Sequence, residues 1–496
     1  MQNVVLNHLI GRWVRADKVR ASLLGCAALI CLGGIPTAGH AQGITQLFSF
    51  PCPAQQFGVC SDGYAPDVLI QASDGDFYGA AGLTTMGTSN PQGGTLFKIT
   101  PKGQFTLLYT FAADVSGHYV NGDQPATALV EGNDGFVYGA TFTGGANNSG
   151  VLFRISKTGT GFKVVHNFCS AIHCADGNVP LSLTLGHDGN LYGVTSQGGS
   201  NDRGTIFRFT PPGTFTTLFE FGSTAVGGGP SGLIQGLDGN FYGVAGSSIF
   251  RFTSSGQFTV LKSLPPVQGF LPTFTDSGLV QASNGNLYGA LTTYSMDQAQ
   301  FYEISPSGKG FQEFPAIGRL AVDFGIGSVI QASDGNLWTA FNQVSCNSGC
   351  VIAMSPGSGA VVQNHPFLGT DGSVPEAGVI QGADGKIYGT ATGGGTVAPG
   401  KAASGTVWAL DVGLPPPRPA VAAFTPASGA VGSNVTIRGH SFIGTTAVTF
   451  NGVSARFRVL NTNFIIATVP AGATTGPIEV TNAGGTITTK QQFTVE

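Results

Sequence analysis

Apolar residues in this chain come in short runs, and the most regular runs stop at an Asp-Gly or Asn-Gly pair and resume at once. VIQASDGNLW, from Val329 to Trp338, is nearly repeated by LVQASNGNLY fifty residues earlier and by LIQASDGDFY far upstream. Such a pair between apolar runs marks a tight hairpin, because Gly takes a positive φ cheaply and Asp or Asn tolerates it. Seven copies align on the turn, at Asp74-Gly75, Asp134-Gly135, Asp188-Gly189, Asp238-Gly239, Asn284-Gly285, Asp334-Gly335 and Asp384-Gly385. Their spacings of 60, 54, 50, 46, 50 and 50 residues are those of a repeat architecture. A third strand follows each hairpin, as in GTLFKIT and GTIFRFT, and a fourth follows six of them, as in FTLLYTF and FTTLFEF. Four antiparallel strands repeated seven times predict an all-β, seven-bladed β-propeller over residues 42–412. The seventh copy ends at GTVWALD without a fourth strand, whereas ITQLFSF, Ile44 to Phe50, has the fourth-strand pattern with no first three strands ahead of it. This N-terminal strand is predicted to complete the last blade, leaving no unpaired sheet edge where the ring closes.

The order DGN, YG, paired glycines, GT and an aromatic strand, as in HDGNLYGVTSQGGSNDRGTIFRFTPPG, resembles the Gloeo/Verruco-type repeat of bacterial exported proteins over about residues 44–411. The resemblance implies a propeller and no established activity. Repeats five and six depart from it, with Thr339 where the glycine of YG is expected and no paired glycines. Gly413 to Pro419, GLPPPRP, reads as a stiff linker. Beyond it, residues 420–496 alternate apolar and polar positions in VTIRG, AVTFNG and PIEVTN between Gly-rich turns, which predicts a small β-sandwich. The VTFNG and VPAGATTGPI stretches resemble an IPT/TIG domain, which implies an immunoglobulin-like fold found with DNA readers in some proteins and at cell surfaces in others.

Composition supports a packed, exported protein. Gly accounts for 77 of 496 residues, yet 42% are hydrophobic and 35 are Phe, too many for a disordered chain. Arg12, Arg15, Lys18 and Arg20 precede the apolar run ASLLGCAALICLGGI and the small residues of TAGHAQ, so residues 1–41 read as a signal peptide cut after Ala41. The rest contains no run of the length a membrane helix needs. Six cysteines remain as close neighbours, Cys52 with Cys60, Cys169 with Cys174 and Cys346 with Cys350, which predicts three local disulfides in an oxidising compartment. Without CxxC pairs or a His/Cys cluster, no metal or cofactor is expected. Residues 42–417 hold 13 basic and 23 acidic residues, a net of −10, the opposite of a nucleic-acid-binding surface.

Chemistry-bearing residues are sparse. There is no GxSxG elbow and no HExxH motif. The SDGN turn has a single carboxylate, too few ligands for calcium, and the recurrent Tyr78, Tyr138, Tyr192, Tyr242, Tyr288 and Tyr388 suit packing between blades. Because strands alternate in direction, the hairpin turns and the links from third to fourth strand share one face, and both are short. The opposite face collects long loops such as FAADVSGHYVNGDQPA, FCSAIHCADGNVP and FLGTDGSVPEA, and length without need is uncommon. His118, Tyr119, Asp123, His173, Asp176 and Asp371 lie there as candidate ligand contacts, although an Asp followed by Gly also suits a purely structural turn. The reading is an exported binding or adhesion module that recognises an extracellular glycan or surface protein through its long-loop face. A glycan-active lyase or hydrolase, with a His, Arg or carboxylate cluster at a channel mouth, and a structural spacer are the alternatives.

Overall fold

The computed structural model describes residues 43–53, 58–86, 93–125, 129–222, 229–264, 273–293, 298–319, 327–342, 346–375 and 377–496. Residues 1–41, read above as a signal peptide, lie outside the described residues. Seven antiparallel sheets form the blades of a propeller, each running outward from an inner strand. Blade 3 is representative, with Asn178–Leu185 innermost, then Leu191–Gln197, Thr205–Thr210 and Thr214–Glu220. Blade 7 takes Ile380–Gln381, Ile387–Ala391 and Lys401–Leu410 from its own repeat, and its outer strand is Thr45–Pro53 from the N-terminus. That strand pairs from Thr45 with Ala409 to Pro53 with Lys401, and Phe50 is fully buried behind it. The ring closes as the orphan strand requires.

Two residues of the repeated phrase explain its constancy. The tyrosine of each YG pair is buried, and in five of the six pairs its hydroxyl donates back to the turn aspartate, as Tyr78 to Asp74 at 2.7 Å, Tyr192 to Asp188 at 2.8 Å and Tyr388 to Asp384 at 2.7 Å, while Tyr288 accepts from the Asn284 amide at 2.7 Å. Its ring packs on apolar residues of the next blade, Tyr388 on Phe77 and Tyr192 on Phe241 at 4.3 Å each, and Tyr78 in one cluster with Val137. One side chain thus locks the turn and seals the gap between blades. The glycine serves the third strand. Across the pair, Phe97 lies over Gly79, Phe207 over Gly193 and Trp408 over Gly389, where a Cβ would run into the ring.

A second device joins blades at the hairpin face. The residue after the phrase's first apolar pair is usually Gln. Gln235 donates to Gly239 O of its own turn at 2.7 Å and accepts the His187 N–H of the preceding blade at 2.6 Å. Gln281, Gln331, Gln381 and Gln71 repeat the link to Leu237, Ser283, Ser333 and Ala383, the last crossing the closure of the ring. In blade 2 the acceptor is Glu131, which holds the Ser73 N–H at 2.6 Å and pairs with Lys157 at 2.8 Å. Six of the seven gaps are bridged in this way.

Disulfides join Cys52 to Cys60 and Cys169 to Cys174. The first staples the closing strand to the inner strand of blade 1. The third expected pair is corrected: Cys346 and Cys350 are buried thiols in contact, not a disulfide. They flank a tight turn and both sit in the packed core between blades 5 and 6, where burial first and the neighbouring Cys346 second push the Cys350 thiol up.

Residues beyond the linker form a two-sheet sandwich. Ala420–Thr425, Asn434–His440, Phe464–Thr468 and Arg456–Asn461 make one sheet; Gly485–Val495, Gly476–Asn482 and Ala447–Phe450 lead the other. Alternation in Gly476–Asn482 turns Ile478 and Val480 inward onto Val435, Ile437, Ile465 and Phe493. Among the described residues no helix is long and apolar enough to cross a membrane.

Candidate binding face

Within every blade the strands are antiparallel neighbours, so the loops between blades and the second-to-third-strand loops share one face. The two loop sets are tied together there. Asp123 bridges to Thr143, and Ser373 to Gly393, as short ladders between the approach to a blade and the loop inside it.

The candidate carboxylates make this possible. Asp123 is buried, and its Oδ1 accepts the Gly93 N–H of blade 1 at 2.6 Å while Oδ2 accepts the Thr143 hydroxyl of blade 2 at 3.1 Å. Burial pushes its carboxyl up to about 6, against the pull of these donors. Asp176 is also buried and accepts the Ser170 N–H at 3.0 Å, the Ser170 hydroxyl at 2.5 Å and the Ala171 N–H at 3.1 Å. Burial works to raise its carboxyl, but the Ser170 and Ala171 hydrogen bonds outweigh it and hold the group low. His166, stacked on Phe215 at 3.7 Å, lies 3.1 Å from the same carboxylate, and burial lowers its imidazole. Asp371 is buried and accepts the Leu368 N–H at 2.8 Å. All three aspartates fix loop backbone.

The remaining candidates face outward. His118 is exposed in a turn closed by Asp114, and Tyr119 is half-buried, its carbonyl accepting the Gly122 and Gly145 N–H groups. His173 is exposed in the left-handed conformation inside the short turn Ile172–Cys174. Neither histidine is joined to an aspartate as a catalytic pair in the described hydrogen bonds. The sequence reading missed the aliphatic residues beside them. Val115, Val120, Ile172 and Leu368 stand in between-blade loops of this face and Val59 near the start of the strand Gly58–Gln71, with Ile172 83% and Leu368 77% exposed. Their signal was visible as single apolar residues inside otherwise polar, Gly-rich loops. Among the described residues no group of three or more His, Cys, Asp or Glu is placed to hold a metal ion.

The opposite, hairpin face is occupied. The turn between Arg456–Asn461 and Phe464–Thr468 of the sandwich sits over the channel mouth, and Asn461 Nδ2 donates to Glu131 O at 3.2 Å and Asn133 Oδ1 at 2.8 Å. The linker lies alongside, with Pro415 O accepting the Ser333 hydroxyl at 2.6 Å. Cavities lie at this contact. One of about 280 Å³ is bounded by Glu131, Leu185, His187, Asn461 and Asn463, and another, of about 220 Å³, by Gln71, Gln381 and Ile443. Burial, then the Arg438 charge, holds the His187 imidazole below its ordinary range.

No curated protein matches the chain. Among solved structures, the chain is similar to virginiamycin B lyase from Staphylococcus aureus, at 15% identity and a TM-score of 0.45, over 71% of this chain and 96% of that one. It is also similar to a fungal alcohol oxidase of the AA5 family in complex with copper, at 12% identity and a TM-score of 0.48, over 92% and 100%. A third is the extracellular domain of a hybrid two-component system from B. thetaiotaomicron, at 13% identity and a TM-score of 0.46, over 86% and 47%. The model of the Gloeobacter/Verrucomicrobia repeat matches residues 65–299, a span that holds the first five hairpin turns, and the IPT/TIG model matches 419–495. The propeller accordingly carries the Gloeobacter/Verrucomicrobia repeat over residues 65–299, and the C-terminal sandwich is an IPT/TIG domain.

Proposed function

We propose that this protein is an exported binding module whose long-loop face engages the surface of another protein. The observation that carries the reading is the exposure of Val115, Val120, Ile172 and Leu368 on loops, and of Val59 on the strand beside them, with the backbones pinned by disulfides and by buried Asp123, Asp176 and Asp371. Apolar side chains on preorganised loops bind with little ordering cost, and aliphatic groups suit an apolar protein patch better than the polar faces of a sugar. Two disulfides support export to an oxidising compartment. The IPT/TIG domain supports the choice of face, because it covers the hairpin side.

The test is a panel of purified extracellular proteins and polysaccharides, scored for retention and for product release. Parent protein is compared with a triple variant, Val115→Ser, Ile172→Ser and Leu368→Ser, and with a control altered in the turn at Pro211 to Thr214. Retention on a protein, lost in the triple variant and kept in the control, is the expected result. Retention on polysaccharide alone, released oligosaccharides, or equal loss in the control overturns it.

A further inference from the structure

The glutamine ring at the hairpin face has one break. Between blades 2 and 3 the position held elsewhere by Gln or Glu is Leu185, which has no acceptor for the Asn133 N–H and no donor for its own turn. The Asn133 side chain lies in this gap, close over Gly189, where a Cβ would meet its Nδ2. Asn461 of the IPT/TIG domain enters at the same place. It is only 2% exposed, a degree of burial unusual for an amide at the tip of a hairpin. Its Oδ1 accepts the Asn463 N–H of its own turn at 2.9 Å, so the Nδ2 group is already aimed when it meets Glu131 O and Asn133 Oδ1. A buried amide with its hydrogen bonds made is stabilising only where partners are placed for it, and six of the seven gaps present a glutamine or glutamate side chain in that position.

Charge agrees with this seating. From Arg418 onward the chain has five basic and two acidic residues, against the net −10 of residues 42–417. The Arg438 charge is felt at His187 in the inner turn of blade 3. The linker is held at its other end as well, since Gln381 Nε2 reaches Pro415 O at 3.3 Å and Asn482 Nδ2 donates to Pro417 O at 3.0 Å.

We propose that the break at Leu185 is a docking site for this chain's own IPT/TIG domain, keyed by Asn461, and that the docked domain is a cap over the hairpin-side mouth of the channel. A side chain that repaired the ring would compete with the key. The cap concerns the face opposite the proposed recognition loops, so loss of partner binding with the cap seated bears on the loops, and an unseated cap with binding intact bears on Asn461.

Three full-length variants test it: Asn461→Ala, Leu185→Gln and Leu185→Ala. Hydrogen exchange is followed in residues 129–135 and 183–189, and small-angle scattering reports the separation of propeller and sandwich. Losing the two amide bonds is expected to speed exchange in both segments by about tenfold and to extend the scattering profile in Asn461→Ala. Leu185→Gln should do the same by filling the gap, while Leu185→Ala, which supplies no amide, should keep the cap seated. Parent-like exchange and scattering in Asn461→Ala overturns the key. Equal release by Leu185→Ala and Leu185→Gln overturns the role of the ring break and leaves only apolar packing at 185.

Discussion

Thr339 faces Ile352 across the second and third strands of blade 6, where blade 1 sets Gly79 against Phe97. Both pairs are buried, and the volume lost on one strand is regained on the other. The departure of repeat six from YG is therefore a compensated exchange. Gly79→Thr alone should destabilise the protein by about 1–3 kcal/mol through overpacking, and Phe97→Ile alone by a similar amount through a cavity. Together they should cost less than their sum, by at least about 1 kcal/mol of coupling. Denaturant unfolding of the four proteins checks this, and strict additivity would refute the exchange.

Deleting Ile44 to Phe50 removes the outer strand of blade 7 and the buried Phe50 ring, which meets Phe97 at 5.3 Å. The loss should exceed about 3 kcal/mol, and the freed edge of Lys401–Leu410 should promote aggregation. A deletion that melts with the parent and stays monomeric contradicts ring closure by this strand.

Asp123 makes one contribution to stability run opposite to the usual carboxylate. Its folded value is raised, so the folded state binds the proton more tightly and stability falls as pH rises from about 4 to about 6. Asp123→Asn keeps an acceptor for Gly93 without a charge. Across that window the parent should lose up to roughly 3 kcal/mol relative to the variant. Parallel pH profiles for the two proteins would count against the burial of a charge at this site.

Peptide mapping without reduction should recover Cys52 linked to Cys60 and Cys169 linked to Cys174. Replacing Cys169 and Cys174 together by Ser should lower stability by roughly 2 kcal/mol, the loop-closure value for so short a ring. A cross-pair such as Cys60 with Cys169 would overturn the pairing.

The hairpin count, the missing seventh fourth strand and its N-terminal replacement were all legible, because turn chemistry and period are local properties of sequence. The tyrosines were legible as packing residues, but their bond to the turn aspartate was not. It spans only four residues, yet it depends on the folded hairpin that returns the Tyr78 hydroxyl to Asp74. The glutamine ring was written in the quoted phrase itself, as Gln331 in VIQASDGNLW, but its partner lies 48 residues away in the next or preceding copy. Asp123 and Asp176 stood out as polar residues in long loops, and only burial distinguishes a carboxylate that fixes a loop from one that meets a ligand. The seating of Asn461 could not be read from either domain alone, because it depends on an absence, the acceptor missing at Leu185.

Thr45 pairs with Ala409 at the end of blade 7 from which the chain also departs toward the IPT/TIG domain. Tension applied between the N-terminus and the C-terminal domain therefore peels the closing strand one rung at a time, the weakest direction for an antiparallel pair. The peel can travel only from Thr45 to Cys52, because there the bond to Cys60 hands the force to the inner strand of blade 1. The disulfide acts as a mechanical stop, and in single-molecule pulling the ring should yield a short extension and then hold, with the hold abolished by reductant.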